Sequence, residues 1–233
     1  MKKISILALS SALLLASNIP DFLKGTFLEN ALKKNPNIEL KYKKINNNIV
    51  LINIIDTTQD KTAPIFEDLK TKSFFIGQMI TKDGKVVNSM IVDKKDIQKA
   101  VAFTFGKGNK EIYIFTDPEC PYCRKMEKTL GNKLAKNYKV HVILFPLPFH
   151  KNAKQMTLYV LAGKTNEEKA KRFKEVLHDV NKWKNFKSTD KDLKNYEKYM
   201  KKAENAVRIL GVQGTPSVYD ENLNAIPDWG KLK

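Results

Sequence analysis

The run EIYIFTD, residues 111–117, passes directly into PECPYC, and helical spacing begins just beyond it. Met126, Leu130 and Leu134 recur every four residues. YKVHVILF, residues 138–145, then forms a predominantly apolar run of the kind parallel strands show. Strand, helix, strand in that order implies a βαβ unit with a right-handed crossover. The constraint is strong because both cysteines of the chain, Cys120 and Cys123, fall in the turn where the strand gives way to the helix.

A disulfide across so short a loop removes little chain entropy, so stabilising the fold is a weak reason for the pair. Cys120 is expected at the end of the turn and Cys123 one helical turn later. Unpaired N–H groups and the positive end of the helix dipole favour thiolate over thiol at the first sulfur. Arg124 and Lys125 add positive charge in the sequence nearby. Cys120 is therefore expected to be an exposed nucleophile of depressed pKa, with Cys123 deeper and resolving mixed disulfides. Two other readings compete with redox chemistry. One is a structural disulfide; the other is a zinc site, which needs two more ligands. His141, His150 and His178 show no ligand-like spacing to each other or to the cysteines, so no metal is expected.

The chain opens MKKISILALSSALLLASN, two lysines before an unbroken apolar stretch from Ile4 to Ala16. That pattern reads as a cleaved signal peptide over residues 1–18, since the run is short for a membrane anchor. An exported chain places the thiols in the periplasm or an equivalent space, where they can be oxidised. The net charge of +17 raises the question of a nucleic-acid or anionic-membrane partner. Arginine occurs only at Arg124, Arg172 and Arg208, and the lysines are scattered, so a solvated lysine coat is the preferred reading and no nucleic acid is expected.

Residues 21–34, DFLKGTFLENALKK, have helical spacing with Phe22, Phe27, Leu28 and Leu32 on or near one side. IELKYKK (38–44) alternates, NNIVLINII (47–55) is rich in β-branched residues, and FFIGQMI (74–80) with KVVNSMIV (85–92) flank the turn TKDG. Residues 21–92 thus read as a small α+β domain without a catalytic cluster. DKKDIQKAVAFTF (93–105) reads as a helix, broken by GKGNK, so residues 93–106 are expected to be a linker helix. Residues 107–233 form the second domain. Within it 151–210 read as consecutive helices, broken at Gly163 and around Asn185 to Ser188, with Phe173, Leu177 and Val180 on one seam. Leu193, Tyr196, Met200, Ala203 and Val207 mark a second seam, and GVQGTPSVYD (211–220) returns to a strand.

FTDPECPYCRKM, together with LGVQGTPSV far downstream, resembles the DsbC/DsbG group of periplasmic thiol:disulfide interchange proteins, in the thioredoxin-like superfamily. The resemblance runs from about Ile112 to Pro227. It implies a cystatin-like N-terminal dimerisation domain, a linker helix and a thioredoxin-like α/β catalytic domain, here with residues 151–210 as a helical insertion. It implies a homodimer through the N-terminal domain, a redox-active disulfide Cys120–Cys123 in place of any cofactor, and a membrane electron donor of the DsbD type. Substrates are then misoxidised or unfolded exported proteins. Thr215 is expected to precede a cis proline, Pro216, beside the sulfurs, and with Tyr122 to contact substrate; Pro121 and Tyr122 tune the potential.

Two departures from the pattern stand out. Plain thioredoxins carry a buried acid six residues before the first cysteine, where this chain has Ile114. Asp117 and Glu119 are nearer candidates for proton transfer, but strand alternation does not show either to be buried; capping of the following helix is the alternative, and neither is counted as catalytic. The chain also stops at IPDWGKLK, where the group continues into a last helix. The leading expectation is a periplasmic disulfide isomerase or reductase. Reduction of sulfenylated cysteines, an oxidase of different redox poise, and a dimeric holdase chaperone with secondary redox activity are the alternatives.

Overall fold

The computed structural model describes residues 19–59 and 61–232, and the expected signal peptide, residues 1–18, lies outside them. The chain forms two compact units, one running to Met79 and including Ser89–Asp93, the other made of Ile80–Asn88 and Lys94 onward.

In the first unit, Asp21–Leu23 is a single 3-10 turn and α1 spans Phe27–Lys34. The continuous helix expected over 21–34 is broken because Gly25 adopts φ +77° and Thr26 restarts the chain as N-cap. Glu29 secures that start by accepting from the Gly25 N–H at 2.7 Å. Four strands follow, β1 (Ile38–Lys44), β2 (Ile49–Asp56), β3 (Lys61–Asp68) and β4 (Ser73–Phe75), in the order β1-β2-β3-β4 and antiparallel throughout. Leu28 and Leu32 of α1 bury against Leu40, Val50, Ile52 and Ile65 of the sheet. Phe27, expected on the buried side, is 58% exposed, with its ring edge-on to Phe74.

The expected strands over 74–80 and 85–92 are corrected. Pairing of the first ends at Phe75, and residues 80–88 belong to the second unit. The buried side chain of Asn53 takes the place of a ladder for the returning segment, donating to Ser89 O at 2.7 Å and accepting from the Ile91 N–H at 2.6 Å.

Glu67 is fully buried on the same face of β3 as Ile65, opposite Val50. Neither carboxylate oxygen has a hydrogen bond, and Lys72 Nζ is 3.9 Å away. Burial raises its pKa, partly offset by Lys72. A raised carboxyl pKa means stability is fully present below the ordinary carboxylate range and is lost as pH rises through the folded-state value. Glu67→Met is therefore expected to stabilise the protein at pH 7 by on the order of 1–3 kcal/mol, the cost of an unpartnered buried polar group. Denaturant melts at acid and neutral pH check it: the gain should be smallest in acid, where wild-type Glu67 is neutral.

The second unit carries α2 (Lys94–Gln98), β5 (Phe103–Phe105), β6 (Lys110–Thr116), α3 (Pro121–Asn137), β7 (Tyr138–Leu144), α4 (Ala153–Leu161), α5 (Asn166–Leu177), α6 (Asp190–Leu210) and β8 (Ser217–Asp220). The linker helix expected over 93–106 is corrected: Lys94–Gln98 are helical and Phe103–Phe105 join the sheet. Ala102 N–H donates to Val142 O, and β5 then pairs antiparallel with β7, a role that suits the aromatic and β-branched run FTF. The sheet order is β5-β7-β6-β8, with β6 and β7 parallel on either side of α3 in the chain. Residues 80–88 add a small hairpin, bridging Ile80 to Val86 and Val86 to Ala225.

Ile112 and Ile114 of β6, Val140 and Val142 of β7 and Val218 of β8 share a core with Met126, Leu130 and Leu134 of α3 and Phe173, Val176 and Leu177 of α5. The α6 seam differs from expectation. Ala203, Ala206 and Leu210 are buried while Leu193 is 37% exposed, and Tyr199 is bonded through its hydroxyl to both the N–H and the carbonyl of Leu144. Val180, expected on the α5 seam, is exposed just beyond the helix. The C-terminal segment is a 3-10 turn, Trp229–Lys231, with Leu232 buried beside it.

Candidate active site

β6 ends at Thr116, and Cys120 is the N-cap of α3 with Pro121 at its first position. Proline there forfeits an N–H that has no helical partner in any case. Cys123 follows as the third helical residue and is completely buried. Both cysteines are free thiols.

Cys120 is also buried, at 4% exposure, which corrects the expectation of an exposed sulfur. The chain just before Pro216 covers it: the Thr215–Pro216 bond is cis, and the Cys120 thiol donates to Thr215 O at 3.3 Å. Tyr122, between the cysteines, is 66% exposed.

The Cys120 pKa is lowered to about 5. The Cys123 thiol beside it is the largest cause. The N–H of Cys123, the side chain of Thr215 and the N–H of Tyr122 add to the lowering, and burial opposes it. Thr215 Oγ1 is buried and has no conventional hydrogen bond, which leaves it available to the sulfur. Arg124 and Lys125 do not enter: Arg124 is paired with Asp179, and Lys125 faces solvent. The stabilisation is thus dipolar, from the start of the helix and the neighbouring thiol. Burial pushes the Cys123 thiol far up, and the Cys120 sulfur adds to the rise. The Asp117 N–H at 3.5 Å and the Thr116 side chain pull it partly back. One sulfur is held ionised and the other held protonated, the division of labour a nucleophile and a resolving thiol need.

Asp117 and Glu119, read from sequence as helix caps, do something else. Asp117 is fully buried; Oδ1 accepts from the Glu119 N–H at 2.7 Å, and Oδ2 accepts from the Leu147 N–H at 2.6 Å and from His150 Nδ1 at 2.8 Å. Glu119 accepts from both the backbone and the side-chain amide of Asn152. The two acids therefore pin the segment after β7 against the cysteine turn, and that segment carries Phe149, 73% exposed. His150 was considered from sequence only as a metal ligand. Among the described residues, no group of three or more His, Cys, Asp or Glu side chains is placed to hold a metal ion.

A family profile described as "Thioredoxin-like domain" matches residues 97–222. No curated protein matches the chain. Among solved structures it is similar to Helicobacter pylori DsbG, at 14% identity over 82% of this chain and 97% of that one, with a TM-score of 0.40. It is similar to Proteus mirabilis ScsC in a compact conformation, at 23% identity over 61% and 77% of the two chains, with a TM-score of 0.43. A periplasmic thioredoxin-like protein from Salmonella enterica serovar Typhimurium aligns at 18% identity over 61% and 94%, with a TM-score of 0.43.

Proposed function

The chain belongs to the thioredoxin-like domain family, and from that premise we propose that it is a periplasmic thiol:disulfide oxidoreductase, a disulfide isomerase or reductase acting on exported proteins. The observation that carries the reading is the unequal pair of sulfurs at the head of α3, Cys120 lowered to about 5 and Cys123 driven upward.

The Cys120 thiolate attacks one sulfur of a substrate disulfide, forming a mixed disulfide and releasing the other substrate sulfur as a thiolate. Either that thiolate attacks a different cysteine of the substrate chain, or Cys123 attacks Cys120 and frees the substrate reduced. Thr215 and Pro216 shape the edge on which an extended peptide lies, and Tyr122 and Pro121 sit between the sulfurs to contact substrate and set the potential. The N-terminal unit joins two copies of the chain, a role supported by the apolar residues exposed on and beside the edge strand β4, Phe75 at 42% and Ile76 at 83%. Reducing equivalents come from a membrane donor of the DsbD type.

The test is a redox titration of the purified protein in glutathione buffers, together with reactivation of a wrongly disulfide-bonded ribonuclease. Cycling of the Cys120–Cys123 pair with recovery of ribonuclease activity is expected. A pair that stays dithiol under mild oxidants, or binds a metal ion tightly, removes the assignment.

A further inference from the structure

The charges of the second unit are not evenly mixed. α5 carries three acids and α6 four, interleaved with their bases. α3 carries one, Glu127, and that side chain is turned inward at 9% exposure, towards Lys174 of α5. What α3 shows to solvent is Lys125, Lys128, Lys133 and Lys136, all exposed, with no exposed acid of the helix between them. The helical repeat puts the four on one side, the side that Pro121 begins. Among the described residues none of the four lies in an ion pair, whereas Lys33, Arg172 and Lys182 each have a carboxylate oxygen within 2.8 Å.

This stripe starts at the nucleophile. A shallow groove lined by Pro121, Arg124, Lys125, Lys128 and Thr129 begins at the residue that follows Cys120. Arg124 is held by Asp179, so its charge is already met; those of Lys125 and Lys128 are not. Charge of one sign beside a reactive atom raises the local concentration of partners of the other sign. Lysines do this as compact charges on flexible stems, without demanding one fixed pairing geometry. A membrane surface or a nucleic acid would feel the same attraction, but the groove leads to Cys120, and what reacts there is a polypeptide that brings a sulfur.

We propose that the outer face of α3 is a docking surface for acidic polypeptide substrates, with Lys125 and Lys128 attracting carboxylates that flank the substrate disulfide. The proposal rests on the thiol-exchange reading above and adds to it which chains are attacked soonest. Lys125 and Lys128 lie about 7 and 12 Å along the helix from Cys120 at about 1.5 Å per residue. An extended peptide covers that span in about two to four residues, so the acids that count are those near the reacting cysteine in the substrate sequence. Attraction between exposed charges acts on encounter more than on the lifetime of the complex. The preference therefore belongs to formation of the mixed disulfide, in which the Cys120 sulfur bonds to one substrate sulfur and the other leaves as a thiolate.

Cys123→Ser in the reduced full-length protein isolates that step, and the covalent adduct is followed by mass. The probes are three peptides that share one disulfide and differ only in flanking residues, which are acidic, neutral or lysine. Each rate is divided by that of a small free thiol with the same peptide, which removes the peptide's own reactivity. In about 20 mM salt the acidic peptide should then react about tenfold faster than the lysine peptide, and near 0.5 M salt the two should agree within about twofold. Adding Lys125→Glu with Lys128→Glu should reverse the order and leave the neutral peptide's rate unchanged. Lys82→Glu with Lys110→Glu makes the same change of charge on the hairpin and at the first residue of β6, the end of the sheet opposite the cysteines, and should leave the order intact. An order that survives reversal at α3, or that both pairs shift equally, overturns the proposal. Anionic lipid vesicles that bind the parent protein but not its α3-reversed form, with no discrimination among the peptides, assign the stripe to a membrane surface and overturn it too. In each of these cases the neutral adduct still forms and the thiol-exchange reading stands; no adduct with any peptide removes both.

Discussion

Replacing Cys120 by serine is expected to cut disulfide exchange by about a thousandfold or more, because it removes the atom that forms the covalent intermediate. Cys123→Ser should keep the first step and accumulate covalent adducts with substrate, since the intermediate then loses its internal exit. A gel-shift assay under non-reducing conditions measures both. Adducts in Cys120→Ser and none in Cys123→Ser would reverse the assignment of the two sulfurs. The wild-type rate of the first step should be nearly flat between pH 6 and 8 and fall about tenfold per pH unit well below 5, where the Cys120 thiolate is protonated.

The same lowered pKa bears on which direction of chemistry is favoured. At pH 7, a thiol of pKa 5 is almost wholly ionised, whereas one at about 8.5 is ionised to roughly 3%. That gain of about thirtyfold in thiolate is nearly cancelled by lower nucleophilicity, which falls by about 0.4–0.5 log units for each unit of pKa. Attack is therefore little faster than by an ordinary thiol. Expulsion of Cys120 from a mixed disulfide is where a low pKa helps, since the better leaving group is the more acidic thiol. A substrate thiolate can then displace Cys120 and depart with a new disulfide, which is the exit an isomerase uses.

Much of this centre is readable in the letters because it is local. The change of period from strand to helix across PECPYC places Cys120 as N-cap and Cys123 one turn on, and it fixes which sulfur faces the N–H groups. What the letters do not carry is contributed by residues distant in the chain. Asp117 reads as lying past the end of a strand, and its burial comes from Leu147 and His150, thirty and more positions away. The covering of Cys120 by Thr215 has the same origin. β3 escapes notice because Pro64 interrupts its pattern; in the structure Pro64 pairs in register with Asn53. At 93–105 the helical reading continued across residues whose hydrogen bonds go to β7, a partner about forty positions later.

Asp117→Ala is expected to be the most destabilising single polar substitution in the second unit. The carboxylate has no solvent contact and accepts from two backbone N–H groups and from His150. Alanine would leave the Glu119 and Leu147 N–H groups and the imidazole without their partner in a dry site, at about 1–3 kcal/mol for each unsatisfied donor. Partial relaxation of the turn recovers some of that, so a net loss on the order of 3–5 kcal/mol is expected. Asparagine should cost less but not nothing: its amide oxygen can serve the two donors at Oδ2, while its NH₂ would then face the Glu119 N–H, donor against donor. Denaturant melts of the three proteins should rank wild type above Asp117→Asn above Asp117→Ala. Because this carboxylate also fixes the turn that holds Cys120, the alanine variant should show a Cys120 thiolate titration shifted upward from about 5. An alanine variant as stable as wild type, with the thiolate midpoint unmoved, would show that the segment after β7 holds its place without Asp117.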